Sequence, residues 1–201
     1  MDTIVLASRS PRRREILSRL HIPYIIFGVD VDEKIKSVRR VKSSVISISN
    51  EKVNTAAGYF SNGLVIGIDT VVYFNRKVLG KPVDIDQAYK FLRMLSGNRH
   101  YVFSGITVKD ITRGISRSSC SVTEVCFTKM TDREIQQYLE IDEWNGKAGG
   151  YAIQGQAALY VESLSGSYYN VMGLPVEELY RLLKKFNYFK SDGIYRPVKK
   201  Q

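Results

Sequence analysis

A single carboxylate interrupts the most apolar run of the chain. Residues 64–74 read Leu-Val-Ile-Gly-Ile-Asp-Thr-Val-Val-Tyr-Phe, a near-continuous stretch of the kind that forms a central strand covered on both faces. Asp69 inside it needs a partner, because an ionised carboxylate is almost never buried alone. That partner is either a structural arginine or, with Lys81 of Gly80-Lys81-Pro82, a metal and phosphate site. The Gly-Lys pair is not a P-loop, since the earlier glycine and the following Ser/Thr of that motif are absent. A second constellation opens the chain. Ile4-Val5-Leu6 has strand character, Ser8-Arg9-Ser10-Pro11 turns, and Ile16, Leu17 and Leu20 recur at helical spacing. Pro11 suits a first helical position and Ser10 can cap it. The helix then begins beside Ser8, Ser10, Arg12 and Arg13. Cations there oppose the helix dipole by roughly 0.3–1 kcal/mol each, a cost that a bound phosphate reverses; a solvated first turn is the plainer alternative.

The elements that must position these groups follow from periodicity. Residues 23–29 read as a second strand, followed by Val31-Asp32-Glu33 with its adjacent carboxylates, an ordinary polar loop when taken alone. Residues 34–42 carry Lys34, Lys36, Arg39, Arg40 and Lys42 with no interleaved aromatic residue, a basic exposed loop without the stacking groups of a single-strand binding face. A helix over 45–60 holds Glu51 and Lys52, and another over 86–95 stops at Gly97. Residues 101–109 and 116–127 form an antiparallel pair, and Thr131-Asp132-Arg133-Glu134 is a capping box. The glycine-rich stretch 146–156, which contains Gln154, reads either as backbone passing close to a flat ligand or as a connector. A strand over 158–163 and a helix over 175–186 complete the chain. Strands and helices mix without clean βαβ alternation, which predicts an α/β protein with a mixed sheet rather than a doubly wound one.

Two hundred and one residues with 44% hydrophobic content suffice for one large domain or two small ones. No apolar run approaches the roughly 18 residues of a membrane span. Met1-Asp2-Thr3 leads straight into the first strand without a basic leader, which points to the cytoplasm. Cys120 and Cys126 share a strand segment whose six residues cover about 20 Å, whereas a disulfide needs Cα atoms about 4.4–6.8 Å apart, so two reduced thiols are expected. With only His21 and His100 and no zinc-type spacing, any metal would take oxygen ligands. The net charge of +10 favours an anionic ligand: nucleotide, nucleic acid or membrane surface.

Taken in order, Leu6-Ala7-Ser8-Arg9-Ser10-Pro11-Arg12-Arg13, Asp32-Glu33, Gly67-Ile68-Asp69-Thr70-Val71-Val72, Leu79-Gly80-Lys81-Pro82, Leu95-Ser96-Gly97 with His100, Lys147-Ala148-Gly149-Gly150-Tyr151-Ala152-Ile153-Gln154-Gly155, and Gly166-Ser167-Tyr168 with Gly173-Leu174-Pro175 resemble the Maf family of nucleoside triphosphate pyrophosphatases. The resemblance implies a single elongated α/β domain over residues 1–186, with a mixed central β-sheet flanked by helices and an ITPase-like nucleotide cleft, and a C-terminal extension over 187–201. It implies hydrolysis of a nucleoside triphosphate between the α and β phosphates, with Mg²⁺ or Mn²⁺, as a house-cleaning activity. Asp69 matches the catalytic carboxylate, and Glu33 and Asp69 would hold the metal. Ser8, Arg12, Arg13, Lys52, Thr70, Lys81 and Gln154 would bind substrate. Arg12, Thr70 and Gln154 fall at the family's subgroup-determining positions. Ile153-Gln154-Gly155 matches the branch acting on dTTP and UTP, whereas the 7-methyl-GTP branch has a Ser-Glu-Gly type sequence. A glutamine amide sets a donor beside an acceptor, matching the O4 and N3–H edge of uracil or thymine. The family also suggests a homodimer, with no requirement for nucleic acid. Ile68 in place of the usual alanine, the permuted Gly150 and Ala152, and the basic rather than acidic 34–42 loop depart from the pattern. The competing class is a basic nucleotide- or nucleic-acid-binding protein without turnover, whose affinity would fall steeply with salt.

Overall fold

Leu64–Phe74 forms β3, the strand on which both halves of the sheet depend, in a computed structural model that describes residues 3–35 and 37–189. The other strands are β1 (Ile4–Leu6), β2 (Tyr24–Ile26), β4 (Lys77–Leu79), β5 (Arg99–Asp110), β6 (Ile115–Phe127) and β7 (Val161–Ser165). The helices are α1 (Pro11–Arg19), α2 (Val41–Ala57), α3 (Ile85–Leu95), α4 (Asp132–Glu140), α5 (Tyr168–Met172) and α6 (Val176–Lys185). Strand order is β2-β1-β3-β5-β6-β7, with β4 paired to β3 as well. The β1 pairings are parallel and the rest antiparallel, so the sheet is mixed, as expected.

Alternation along β3 sends Leu64, Ile66, Ile68 and Val72 into the main core with Ile16 and Leu17 of α1, Leu92 and Leu95 of α3, and Leu179 and Leu183 of α6. Val65 faces the other way, onto Val53 and Ala56 of α2. Each such buried Ile or Leu contributes roughly 1.5–3 kcal/mol, and together they fix β3 from both sides. Gly67 makes the α2 contact possible: a Cβ there would run into the Ser49 carbonyl and Val53. The close approach carries Lys52 of α2 to the sheet surface beside Asp69.

β5 pairs with β3 continuously from Leu64 to Tyr73. The opposite edge is shared: β1 takes Leu64 to Ile66 and β4 takes Val72 to Phe74. Between them, residues 67–71 have no strand on that side, and the gap is where the cleft opens.

Several sequence expectations need correction. Residues 38–42 are not loop: Val38–Arg40 is a 3-10 turn and α2 starts at Val41, because Val41, Val45 and Ile48 bury at helical spacing between serines that disguise it. Residues 158–160 belong to a 3-10 turn, Gln156–Tyr160, and the strand begins at Val161. The Gln156 N–H is taken by Glu143 Oε2 at 2.9 Å, which holds the turn away from β6. Ser10 occupies the N-cap of α1 without a side-chain cap bond. The Thr131 capping box is present with both of its bonds, and both cysteines are free. Tyr188 is buried in the main core with Phe189 against it, so the core runs past residue 186. Lys36 of the basic loop, Met1, Asp2 and residues 190–201 of the expected extension lie outside the described residues. No helix among the described residues is long and apolar enough to cross a membrane.

Candidate active site

The chain leaves β1 with Ala7 N–H donating to the Ile66 carbonyl at 2.8 Å, which sets the following turn against the gap in β3. Ser8 is buried there, and its Oγ accepts from Ser10 N–H at 3.2 Å and from Arg13 Nη1 at 2.9 Å. Arg13 also donates from Nε to the Gly173 carbonyl at 2.8 Å and from Nη2 to Thr70 Oγ1 at 3.3 Å. Thr70 in turn shares a 2.8 Å hydrogen bond with Ser104. One guanidinium thus ties β1, β3 and the turn after α5 together through three neutral oxygens. Burial pulls the Arg13 pKa down, and the charges of Asp69 and Glu33 oppose that. Three of its five N–H groups are used, leaving two for a ligand.

On the α2 face of β3, Asp69 is 3% exposed. Lys52 Nζ donates to Asp69 Oδ1 at 2.8 Å, lies 2.7 Å from Glu33 Oε1, and donates to the Ile68 carbonyl at 3.1 Å. Its three donors meet three acceptors, and the last is a strand carbonyl exposed by the gap. Glu33 Oε2 accepts from Lys81 Nζ at 2.8 Å. Burial alone would push the Glu33 carboxyl up, but Lys52 and Lys81 override it and hold the pKa down at about 2. The result is an alternating chain, Asp69–Lys52–Glu33–Lys81. Asp69 Oδ2 stands outside it, buried and without a hydrogen-bond partner.

That unpartnered oxygen and the Glu33 carboxylate, whose two oxygens are held by Lys52 and Lys81, are the oxygen donors here that could meet a hard cation such as Mg²⁺ or Mn²⁺. Among the described residues no cluster of three or more His, Cys, Asp or Glu could cage an ion. A hard cation held by one or two carboxylates, with phosphate oxygens and water completing its shell, needs no more.

The far wall is residues 146–151, with Gly149 at φ 71° and a Cβ there meeting Val72 at 2.8 Å. Only glycine lets this segment lie on β3, and its N–H donates to the Gly80 carbonyl at 3.0 Å, next to Lys81. Beneath it, Tyr151 stacks edge-on against Phe127 and His100, and its hydroxyl lies 2.8 Å from His100 Nε2. Burial lowers the His100 pKa to about 4, so this support is neutral imidazole at physiological pH.

The cleft so bounded has a volume of about 550 Å³. Ser8, Arg12, Arg13, Glu33, Lys52, Asp69, Thr70 and Lys81 all line it. Gln154 does not: it is exposed outside the lining, with Nε2 3.4 Å from Glu15 Oε2 on α1. The structure adds lining groups that sequence reasoning had not assigned, chiefly Lys147, Tyr151 and Gly173. Their position in glycine-rich blocks was the only available signal.

A family model described as Maf-like protein matches residues 3–186. The chain is 40% identical over 185 residues to a dTTP/UTP pyrophosphatase of Carboxydothermus hydrogenoformans, covering 92% of this chain and 99% of that protein. It is 41% identical over 188 residues to a dTTP/UTP pyrophosphatase of Pelotomaculum thermopropionicum, covering 94% and 98%. Among solved structures, a HAM1 protein from Coxiella burnetii matches with a TM-score of 0.52 at 14% identity, covering 92% of this chain and 100% of that one, a likeness of fold.

Proposed function

Because the chain belongs to the Maf-like protein family, we propose that it hydrolyses dTTP and UTP to the monophosphate and pyrophosphate. The observation that carries the reading is Asp69 Oδ2, a buried carboxylate oxygen without a partner in a cleft lined by cations. A protein that only bound nucleotide or nucleic acid would have no use for that oxygen and would do better with an amide there.

Phosphoryl substitution needs charge neutralisation and an in-line nucleophile more than covalent help. Lys52 fixes Oδ1 of Asp69, so Oδ2 is left to take the proton of the attacking water. As the water oxygen bonds to phosphorus, the P–O bond of the α–β bridge breaks and pyrophosphate leaves with its electron pair. Asp69 and Glu33 would hold a divalent cation, which supplies neutralisation of phosphate charge when bound. Arg13, fixed by Ser8, Thr70 and Gly173, presents its remaining N–H groups to the polyphosphate, and Lys81, which also lines the cleft, its ammonium. Gln154 is assigned the pyrimidine edge. Its contact with Glu15 leaves one N–H and its Oε1 to meet O4 and N3–H.

We infer a homodimer on the family resemblance, checked by light scattering, and a cytoplasmic protein, checked by cell fractionation. The test of the activity is pyrophosphate release from dTTP, UTP, CTP and ATP with Mg²⁺ or Mn²⁺. Wild type should release it from dTTP and UTP. Asp69→Asn should stay folded, bind nucleotide and release none; wild-type release by that variant would remove Asp69 from the mechanism.

A further inference from the structure

Thr70 of β3 and Ser104 of β5 are partners in register, so their side chains stand on the same face of the sheet within reach of each other. Thr70 lines the cleft; Ser104 is fully buried, outside the lining and one hydrogen bond further in. Their hydroxyl oxygens are 2.8 Å apart. Each also reaches a carbonyl at the end of α5: Ser104 Oγ lies 3.4 Å from the Asn170 carbonyl and Thr70 Oγ1 lies 3.5 Å from that of Gly173. Both carbonyls are held in place. Asn170 Nδ2 donates to the Val102 carbonyl on β5 and to Thr123 Oγ1 on β6 at 3.0 Å each, and the Gly173 N–H donates back to the Asn170 carbonyl at 3.0 Å.

A hydroxyl has one proton to give, and the pair has two ways to place its protons. Either Thr70 donates to Ser104 and Ser104 to the Asn170 carbonyl, or Ser104 donates to Thr70 and Thr70 to the Gly173 carbonyl. In both, the Thr70 proton is spent inside the wall, and a lone pair of Thr70 is left to accept from Arg13 Nη2 at 3.3 Å. Arg13 Nε donates to the Gly173 carbonyl at 2.8 Å, which closes a ring through Arg13, Thr70, Ser104, Asn170 and Gly173. The acceptors that Arg13 bonds, Ser8 Oγ, Thr70 Oγ1 and the Gly173 carbonyl, are all neutral. Orientation of the guanidinium therefore comes from hydrogen bonds, and its charge is left for an anion. Within the ring the Thr70–Ser104 bond is short, whereas the bonds of either hydroxyl to a carbonyl are long. Without Ser104 Oγ, Thr70 keeps only the long bond to a carbonyl that Arg13 Nε already uses, and its proton is free to turn towards the Arg13 N–H it should accept from.

We propose that Ser104 is a positioning residue: it engages the Thr70 hydroxyl so that Thr70 serves Arg13 as an acceptor instead of donating to substrate, and it thereby aims the two remaining Arg13 N–H groups into the cleft. The inference rests on the pyrophosphatase reading and deepens it, because it states how the guanidinium assigned to the polyphosphate is held. Ser104 itself touches no substrate. A Thr70 that donated to substrate directly would make Ser104 irrelevant to Arg13, and that difference is measurable.

The experiment compares wild type with Ser104→Ala, Ser104→Val, Ser104→Thr, Thr70→Val and the double variant Ser104→Ala with Thr70→Val. Each is read by melting curve, by calorimetric affinity for inorganic tripolyphosphate, and by the nitrogen–proton NMR signal of Arg13 Nε in the ligand-free protein, assigned by its loss in Arg13→Lys. In Ser104→Ala and Ser104→Val the Arg13 Nε–H should exchange with solvent about tenfold faster, and tripolyphosphate affinity should fall about threefold to tenfold. Ser104→Thr has the shape of the valine variant but keeps the hydroxyl, so it should hold both readings near wild type. Thr70→Val should lose as much affinity as Ser104→Ala, and the double variant no more than either. An Arg13 signal in Ser104→Ala equal to wild type overturns the proposal, even where the melting temperature falls. So does a valine variant as competent as the threonine one, or affinity losses that add in the double variant. Wild type that binds no tripolyphosphate takes Arg13 off the polyphosphate and overturns the proposal with it. Readings as expected in a wild type that releases no pyrophosphate from dTTP overturn the function and leave the positioning role standing.

Discussion

Lys52 is the residue whose removal tests the charge arrangement most directly. Lys52→Met keeps length and volume but deletes the ammonium that lies 2.8 Å from Asp69 and 2.7 Å from Glu33. Lys52 and Asp69 are both buried, with 5% side-chain exposure each. Breaking a buried pair from one side costs roughly 3–5 kcal/mol, because the other charge is left uncompensated. Glu33 is 42% exposed at its side chain, and solvent screening makes its own share small. At roughly 2–4 °C per kcal/mol for a chain of this size, the melting temperature should fall by roughly 6–20 °C at pH 7. The pH dependence carries a definite sign. The Glu33 pKa is depressed from 4.5 to about 2, so its stabilising contribution is fully present above pH 4.5 and is lost as pH falls towards 2. Lys52→Met has already lost most of that contribution, so the stability gap to wild type should narrow across this window. Guanidinium unfolding of both proteins at pH 7, 4.5 and 3 measures it. The double variant Lys52→Met with Asp69→Asn should recover most of the loss, because the amide needs no counter-charge. A gap that widens as pH falls, or a double variant no more stable than Lys52→Met alone, would refute the reasoning.

Two further outcomes are expected. Lys81→Ala should slow pyrophosphate release on every accepted nucleotide alike, and leave unfolding within about 0.5 kcal/mol because its ammonium is exposed; a change in base preference at unchanged rate would take Lys81 off the triphosphate. Gln154→Glu removes an amide donor at an exposed position, where a hydrogen bond is worth about 0.5–1.5 kcal/mol. kcat/KM for UTP and dTTP should therefore fall only roughly twofold to twelvefold, with a narrower margin over CTP; an unchanged UTP to CTP ratio would place base selection elsewhere.

The parts of the site that could be read from sequence are those whose signal is local. Asp69 stands out because ten of its neighbours in β3 carry no charge, and the β1–α1 turn because Pro11 and the arginines lie within six residues. The start of α2 was hidden because Ser43, Ser44, Ser47 and Ser49 break up the spacing of Val41, Val45 and Ile48. β4 was hidden for a different reason. Its hairpin turns through Asn75 and Arg76, both at positive φ, instead of through the Asn-Gly pair that marks such turns. Without β4 the edge of β3 has no second partner, and the gap that makes the cleft cannot be foreseen. That Arg12 and Lys147 line one cleft joins positions more than a hundred residues apart and follows from no periodicity.

The two missed features explain each other's position. A strand continuous on both edges would bury its own carbonyls in pairing, and Lys52 would then have no acceptor on β3 but Asp69. Because β1 ends at Leu6 and β4 begins its pairing at Val72, the Ile68 carbonyl is left for Lys52, which anchors the lysine between two carboxylates instead of releasing it to solvent. The acids are therefore already neutralised in the free protein, and the net attraction of the cleft for a polyanion comes from Arg12, Arg13 and Lys147. An arrangement with the lysines unpaired would bind phosphate more strongly near Asp69, but would leave both carboxylates with no defined geometry.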